Sequence, residues 1–179
     1  MEITLKSAGK SDVLRIRSLY LSAFPPEERP PFFLMRHGAR FGNGEMLSAY
    51  DGEEFVGFAY VVSDEVAAYL FFFAIEERFR GMGYGSSVIA ALKKRYSGRV
   101  LFLAREQLDE SAENYGERVR RRQFYLKNGF SDLSVKIKEM TVIYDTMSVG
   151  GEIEPRAYAR LMKKWCGSLV FYAMRIKMI

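Results

Sequence analysis

The residues that most readily suggest chemistry are Arg80-Gly81-Met82-Gly83-Tyr84-Gly85, a turn with glycine at every second position between an apolar run and an amphipathic one. Glycines keep side chains out of the way and let the backbone turn sharply, so several amides can face one anion; phosphate oxygens are the natural ligand. A helix dipole behind such a turn adds about 0.3 to 2 kcal/mol per favourable charge interaction. Two familiar phosphate signatures are excluded, because the chain has no Gly-x-x-x-x-Gly-Lys-Ser/Thr and its glycine spacing is not Gly-x-Gly-x-x-Gly. A tight turn that needs glycines only for close packing stands as the alternative. His37, the only histidine, has no partner at metal-ligand spacing, so no catalytic metal is expected. Cys166, the only cysteine, excludes an internal disulfide or thiolate cluster and reads as packing.

The elements around the glycine turn follow from periodicity. An alternating strand begins at Met1, and Ser11 is expected to cap a helix through Val13, Ile16, Leu19, Tyr20 and Ala23 that Pro25-Pro26 stops. A second helical piece covers Phe32 to Arg40. Met46 to Tyr50 and Phe55 to Val62, separated by Asp51-Gly52, predict an antiparallel hairpin. Val66 to Ile75 is an almost unbroken apolar run, as in a central strand covered on both faces. Ser86 to Tyr96 forms the next helix and Val100 to Leu103 a buried strand, which together describe a βαβ crossover. The glycine turn therefore sits at the carboxyl end of a central strand, where open α/β sheets bind ligands. A helix from about Glu113 closes at Asn128-Gly129, strands cover Leu133 to Ile137 and Met140 to Met147, and Pro155 opens a last helix followed by an apolar terminal strand, Leu169 to Ile176.

Composition sets the class. At 179 residues, 49% apolar and 15% aromatic, one globular domain is expected over 1–179, with a core to about 147 and an extension beyond it. The amino terminus does not read as a signal peptide and no stretch reaches membrane-spanning length, so a cytoplasmic protein with no membrane partner is expected. The net charge of +5 permits an anionic partner without naming one.

Arg80, Gly83 and Gly85 fit Arg-x-x-Gly-x-Gly, and Phe124-Tyr125-Leu126-Lys127-Asn128-Gly129-Phe130 fits aromatic-Tyr-x-x-x-Gly-Phe. In these two segments, their order and the element series from Met1 to Met147, the chain resembles the GNAT superfamily of N-acetyltransferases. The resemblance implies a mixed α/β fold (α+β) around a twisted central sheet flanked by helices, here with an extra carboxyl-terminal helix and strand. It implies acetyl-CoA as cosubstrate, without a metal, held along Phe73, Ala74, Ile75, Arg80, Gly81, Met82, Gly83, Tyr84, Gly85 and Ser86. Where many relatives carry an asparagine on the cofactor arm this chain has Arg118, and Asn114 lies one helical turn earlier.

What the resemblance implies chemically is direct acetyl transfer to a primary amine of a small molecule or protein in a ternary complex. Tyr125 is the expected proton donor to the departing thiolate, and an amide near Phe73 or Ala74 the expected oxyanion donor on a bulged strand. Glu106 and Glu28 are the candidate bases, with Glu27 beside the latter and water as the substitute. The run Arg118-Val119-Arg120-Arg121-Arg122 reads as a solvated helix face, or as a contact for the cofactor's ribose phosphate or an anionic substrate. The segment from Phe24 to Arg40 and the extension are expected to choose the acceptor, and the terminal strand offers a homodimer contact. Two other classes stay open: an acyl-CoA-binding regulatory module without turnover, and a basic nucleic-acid-binding protein, which this reading disfavours.

Overall fold

The computed structural model describes residues 2–26 and 29–179. Its elements are β1 (Ile3–Ser7), α1 (Lys10–Ala23), α2 (Phe32–Phe41), β2 (Gly44–Asp51), β3 (Glu54–Ser63), β4 (Ala67–Ile75), a 3₁₀ turn (Glu77–Phe79), α3 (Tyr84–Arg95), β5 (Val100–Glu106), α4 (Tyr115–Lys127), β6 (Ser131–Glu139), β7 (Val142–Val149), α5 (Pro155–Ala173) and β8 (Lys177–Met178). The strands form one eight-stranded sheet in the order β1-β2-β3-β4-β5-β7-β6-β8. Neighbours are antiparallel except β4 and β5, which the α3 crossover makes parallel. This is the mixed α/β fold that the sequence implies. No helix among the described residues is long and apolar enough to cross a membrane.

Apolar residues cover both faces of the sheet. Ile16, Leu19 and Tyr20 of α1, Met35 of α2 and Tyr158, Leu161, Met162 and Trp165 of α5 pack on one face. Val88, Ile89 and Leu92 of α3 and Tyr125 of α4 pack on the other. The β2–β3 hairpin turns at Asp51-Gly52 as expected, with Gly52 at φ 61°, a conformation that favours glycine.

Two local expectations are corrected. Ser11 lies inside α1; the cap is Gly9, whose N–H donates to Asp12 Oδ2 at 3.1 Å. A carboxylate in the first turn reaches back to the orphan donor and makes a serine cap unnecessary. The apolar stretch from Leu169 is helical rather than a strand. Gly167, at φ 80° and ψ 152°, breaks α5 into two pieces, and the second runs on through Phe171. Only Lys177–Met178 is extended, pairing with β6, while Lys136 and Ile179 exchange both backbone hydrogen bonds at 2.7 Å.

The joint between the two central strands is short. Ala67, Ala68 and Tyr69 pair with Val100, Leu101 and Phe102, and beyond them β4 and β5 diverge. The register of β4 against β3 explains the divergence: Val61 faces Leu70 and Tyr60 faces Phe72, leaving Phe71 as an extra residue. Such a bulge bends its strand and increases the twist. On the sheet face that carries Tyr69 and Phe71, α5 crosses back over β3. Trp165 Nε1 donates to Tyr60 Oη at 2.7 Å, Tyr60 Oη donates to the Met35 carbonyl at 2.8 Å, and Arg160 pairs with Asp64 at 2.9 Å.

Candidate active site

The glycine turn begins where β4 ends. Gly81 and Gly83 both have positive φ, 76° and 89°, and Gly83 is the left-handed residue that starts α3. No atom crowds Gly81, so its conformation alone favours glycine there. Gly85 answers a different need: a Cβ at this position would stand 3.2 Å from the Phe124 ring. The backbone amides from Gly81 to Ser86 have no acceptor among the described residues, whereas Ser87 N closes the first helical bond to Gly83 O at 3.1 Å. A row of free donors at the start of a twelve-residue helix is an arrangement that can receive an anion. Met82 stands open to solvent, and Arg80 Nε donates to the Ile75 carbonyl at 3.1 Å, tying the turn to the strand end.

The bulge at Phe71 lies two residues before the position expected from the sequence. Its effect falls on Phe73 nonetheless. Glu76 N donates to Val56 O across the β3 ladder, so by alternation Ala74 and Phe72 direct their backbone groups toward β3. Phe73 and Ile75 direct theirs the other way, into the gap that β5 has left. Of the two residues expected to supply the oxyanion donor, Phe73 thus faces the gap and Ala74 does not.

Phe124 joins these parts. Its ring stacks on Phe73 with centroids 6.4 Å apart and fills the space that Gly85 leaves. The next residue, Tyr125, is buried beneath α4, with Phe124 and Phe130 edge-on at 5.1 and 5.5 Å. Its hydroxyl has no hydrogen-bond partner among the described residues. Burial pushes the phenol up to about 12, with Arg121 pulling weakly the other way, so it stays protonated at any working pH.

Glu106, at the end of β5, has both carboxylate oxygens occupied. Oε1 accepts from Asn114 Nδ2 at 3.1 Å and pairs with Arg118 at 2.9 Å; Oε2 pairs with Arg121 at 2.8 Å. Arg118 Nε in turn donates to Asn114 Oδ1 at 2.7 Å and its Nη1 to the Gln107 carbonyl at 2.8 Å. Two of the expected site residues, Glu106 and Asn114, are therefore brought together, and their contacts fasten the start of α4 to β5. Arg122 pairs with Asp132 at 2.6 Å. Glu28 and Glu27 lie outside the described residues.

A family model described as the acetyltransferase (GNAT) family matches residues 13–130, which contain the glycine turn, the divergent strands and the Phe124–Phe130 segment. The chain belongs to the GNAT acetyltransferase family. Solved structures agree on the fold of this GNAT chain. A GNAT-family protein from Bacteroides thetaiotaomicron is 23% identical, with a TM-score of 0.74 over 92% of this chain and 98% of its own. An aminoglycoside 6'-N-acetyltransferase complexed with coenzyme A is 16% identical, with a TM-score of 0.64 over 87% and 99%. Ard1 from Thermoplasma volcanium is 18% identical, with a TM-score of 0.62 over 83% and 97%. No curated protein matches the sequence at a significant level.

On the sheet face opposite the glycine turn, the gap between β4 and β5 of this GNAT chain opens into a cavity of 90 Å³. Phe24, Tyr69, Phe71 and Phe72 form its aromatic wall, and Arg105, Glu106, Arg121, Glu139 and Tyr144 its polar one. Arg105 is nearly inaccessible and pairs with Asp132 at 2.9 Å and Asp145 at 3.2 Å. Glu139, half-buried, is the functional candidate that sequence reasoning missed. The signal was present: Leu133, Val135 and Ile137 alternate inward, and Glu139 continues that phase, placing a carboxylate on an apolar face. Burial raises its pKa to about 7, only partly offset by the Tyr158 hydroxyl, which has no hydrogen bond of ordinary geometry.

Proposed function

We propose that the protein is an N-acetyltransferase that moves an acetyl group from acetyl-CoA to a primary amine of a small molecule or protein, by direct transfer in a ternary complex. The observation that carries this reading is the gap between β4 and β5, which has a turn of free backbone amides on one face of the sheet and a cavity on the other. Two reactants can thus meet at the gap from opposite sides, and holding them in register removes much of the entropic barrier to a bimolecular reaction.

Acetyl-CoA supplies the activated thioester. The free amides from Gly81 to Ser86, with Arg80 and Met82 at their margin and Tyr84 in the first turn of α3, receive its pyrophosphate. The Phe73 and Ile75 amides line the gap in place of a strand partner, and Phe73 N–H donates to the carbonyl oxygen as charge develops there. Tyr125 supplies a proton to sulfur. Glu106, doubly ion-paired, holds Arg118, Arg121 and Asn114 at the edge of the gap in this reading. Residues 148–179 complete the acceptor side, since α5 packs over the same sheet face as the cavity.

Coenzyme A should raise the melting temperature by mass action, and a panel of primary amines with acetyl-CoA should release free thiol. Binding of coenzyme A with no thiol release from any amine would sink the enzymatic reading in favour of a regulatory acyl-CoA module. Salt-sensitive nucleic-acid binding without affinity for coenzyme A would sink both.

A further inference from the structure

The charges around the cavity do not cancel. Arg105 has Asp132 and Asp145, and Arg121 and Glu106 have each other. Glu139 alone in the wall has no cationic partner among the described residues. We propose that Glu139 receives the ammonium group of the acceptor and takes a proton from it, and that the acceptor is a primary amine on a slim apolar stem. This rests on the acetyltransferase reading above.

Shape selects the same ligand as charge. The cavity, 90 Å³ in volume, narrows between aromatic side chains and so suits the end of a chain. The faces of Phe24, Phe71 and Phe72 suit the apolar stem and, by their ring quadrupoles, the cation at its tip. Both forms of Glu139 are populated at neutral pH, as a proton acceptor requires.

Three ionisable groups packed near Glu139 stay protonated at neutral pH. Tyr69 of β4 and Tyr158 of α5 are held protonated by burial, and burial likewise raises the Cys166 thiol to about 11. Tyr144 of β7, Arg105 and Glu106 of β5 and Arg121 of α4 share the cavity wall. Lys138, the preceding residue on β6, lines a separate groove with Lys177.

The protons balance as follows. The ammonium loses one proton to Glu139, whose carboxyl passes it to solvent. The freed nitrogen lone pair forms the N–C bond to the acetyl carbon while the C–S bond breaks and sulfur takes a proton from Tyr125. The second nitrogen proton, lost as the amide forms, enters solvent, and solvent reprotonates Tyr125. One proton is released per ammonium acetylated.

The test follows thiol release at saturating acetyl-CoA from pH 5.5 to 9 with butylamine, phenethylamine and a lysine peptide. In the parent, kcat/KM for the amine should rise through an acidic limb near pH 7. Glu139→Gln should lower it about 100-fold or more and erase that limb, with the melting shift given by coenzyme A unchanged. Glu139→Asp should keep the limb, displaced, at reduced rate, and it decides the matter if the glutamine variant does not fold. Parental rate and limb in Glu139→Gln, or an undisplaced limb in Glu139→Asp, overturns the proposal while leaving the acetyltransferase standing. A parent that binds coenzyme A yet turns over none of the amines overturns both.

Discussion

Glu139→Gln should make the protein more stable above neutral pH, and by an amount that grows with pH. The carboxyl rises from its ordinary 4.5 to about 7 in the folded protein. Between those values the native state binds more protons than the unfolded chain, so the free energy of unfolding falls as pH rises, and the loss is complete above pH 7. At 1.36 kcal/mol per pH unit the gap corresponds to about 3 kcal/mol, and contact with solvent at the cavity mouth brings the expectation to about 1–3 kcal/mol. Glutamine keeps the shape and carries no charge, so it removes the penalty without opening a void. Urea melts of parent and variant from pH 4.5 to 8.5 give the difference directly. It should be close to zero at pH 4.5, climb through pH 5 to 7 and level off near pH 8. A difference that is flat across this range would mean that the carboxyl ionises freely in the fold.

Three further outcomes are expected. Gly83→Val puts a β-branched residue at φ 89° and closes the turn, so the melting shift with coenzyme A should vanish while circular dichroism shows a folded chain; retained binding would remove the turn from the site. Tyr125→Phe should keep coenzyme A affinity and lower kcat about 100- to 10,000-fold, and a parental kcat would remove the hydroxyl from the mechanism. Glu106→Ala strands Arg118 and Arg121 at the gap, which should cost about 2 kcal/mol in a urea melt; an unchanged midpoint would show that the network contributes nothing.

Local physics made much of this legible from sequence. The hairpin at Asp51-Gly52, the crossover through α3 and the glycine turn depend on neighbours within a few residues, and each was readable. Gly85 was readable as part of a pattern, but its reason was not, because Phe124 meets it from another helix. The bulge was placed near Phe73 and occurs at Phe71, since strand register is set by partners far along the chain. The segment after Gly167 shows the limit of composition: Leu169 to Ile176 has strand-like residues, yet Leu169 and Tyr172 face solvent while Phe171 is buried, a helical pattern that one buried ring decides. The candidate bases fared according to distance. Glu106 was visible as a strand-end carboxylate, but its arginine partners come from the next helix, and Glu139 needed the fold to bring β6 beside the cavity.

The α5 crossing has a consequence for how the protein meets its ligands. Residues 3–75 build one half of the sheet and residues 100–179 the other, and three parallel residue pairs join them. Trp165, Arg160 and their partners on the first half tie the halves together on the sheet face that holds the cavity. The result is a wedge braced by α5. A brace of this kind favours walls that stand in place before a ligand arrives. Affinity in a mould braced in this way comes with less reorganisation, and selectivity follows from what fits the opening.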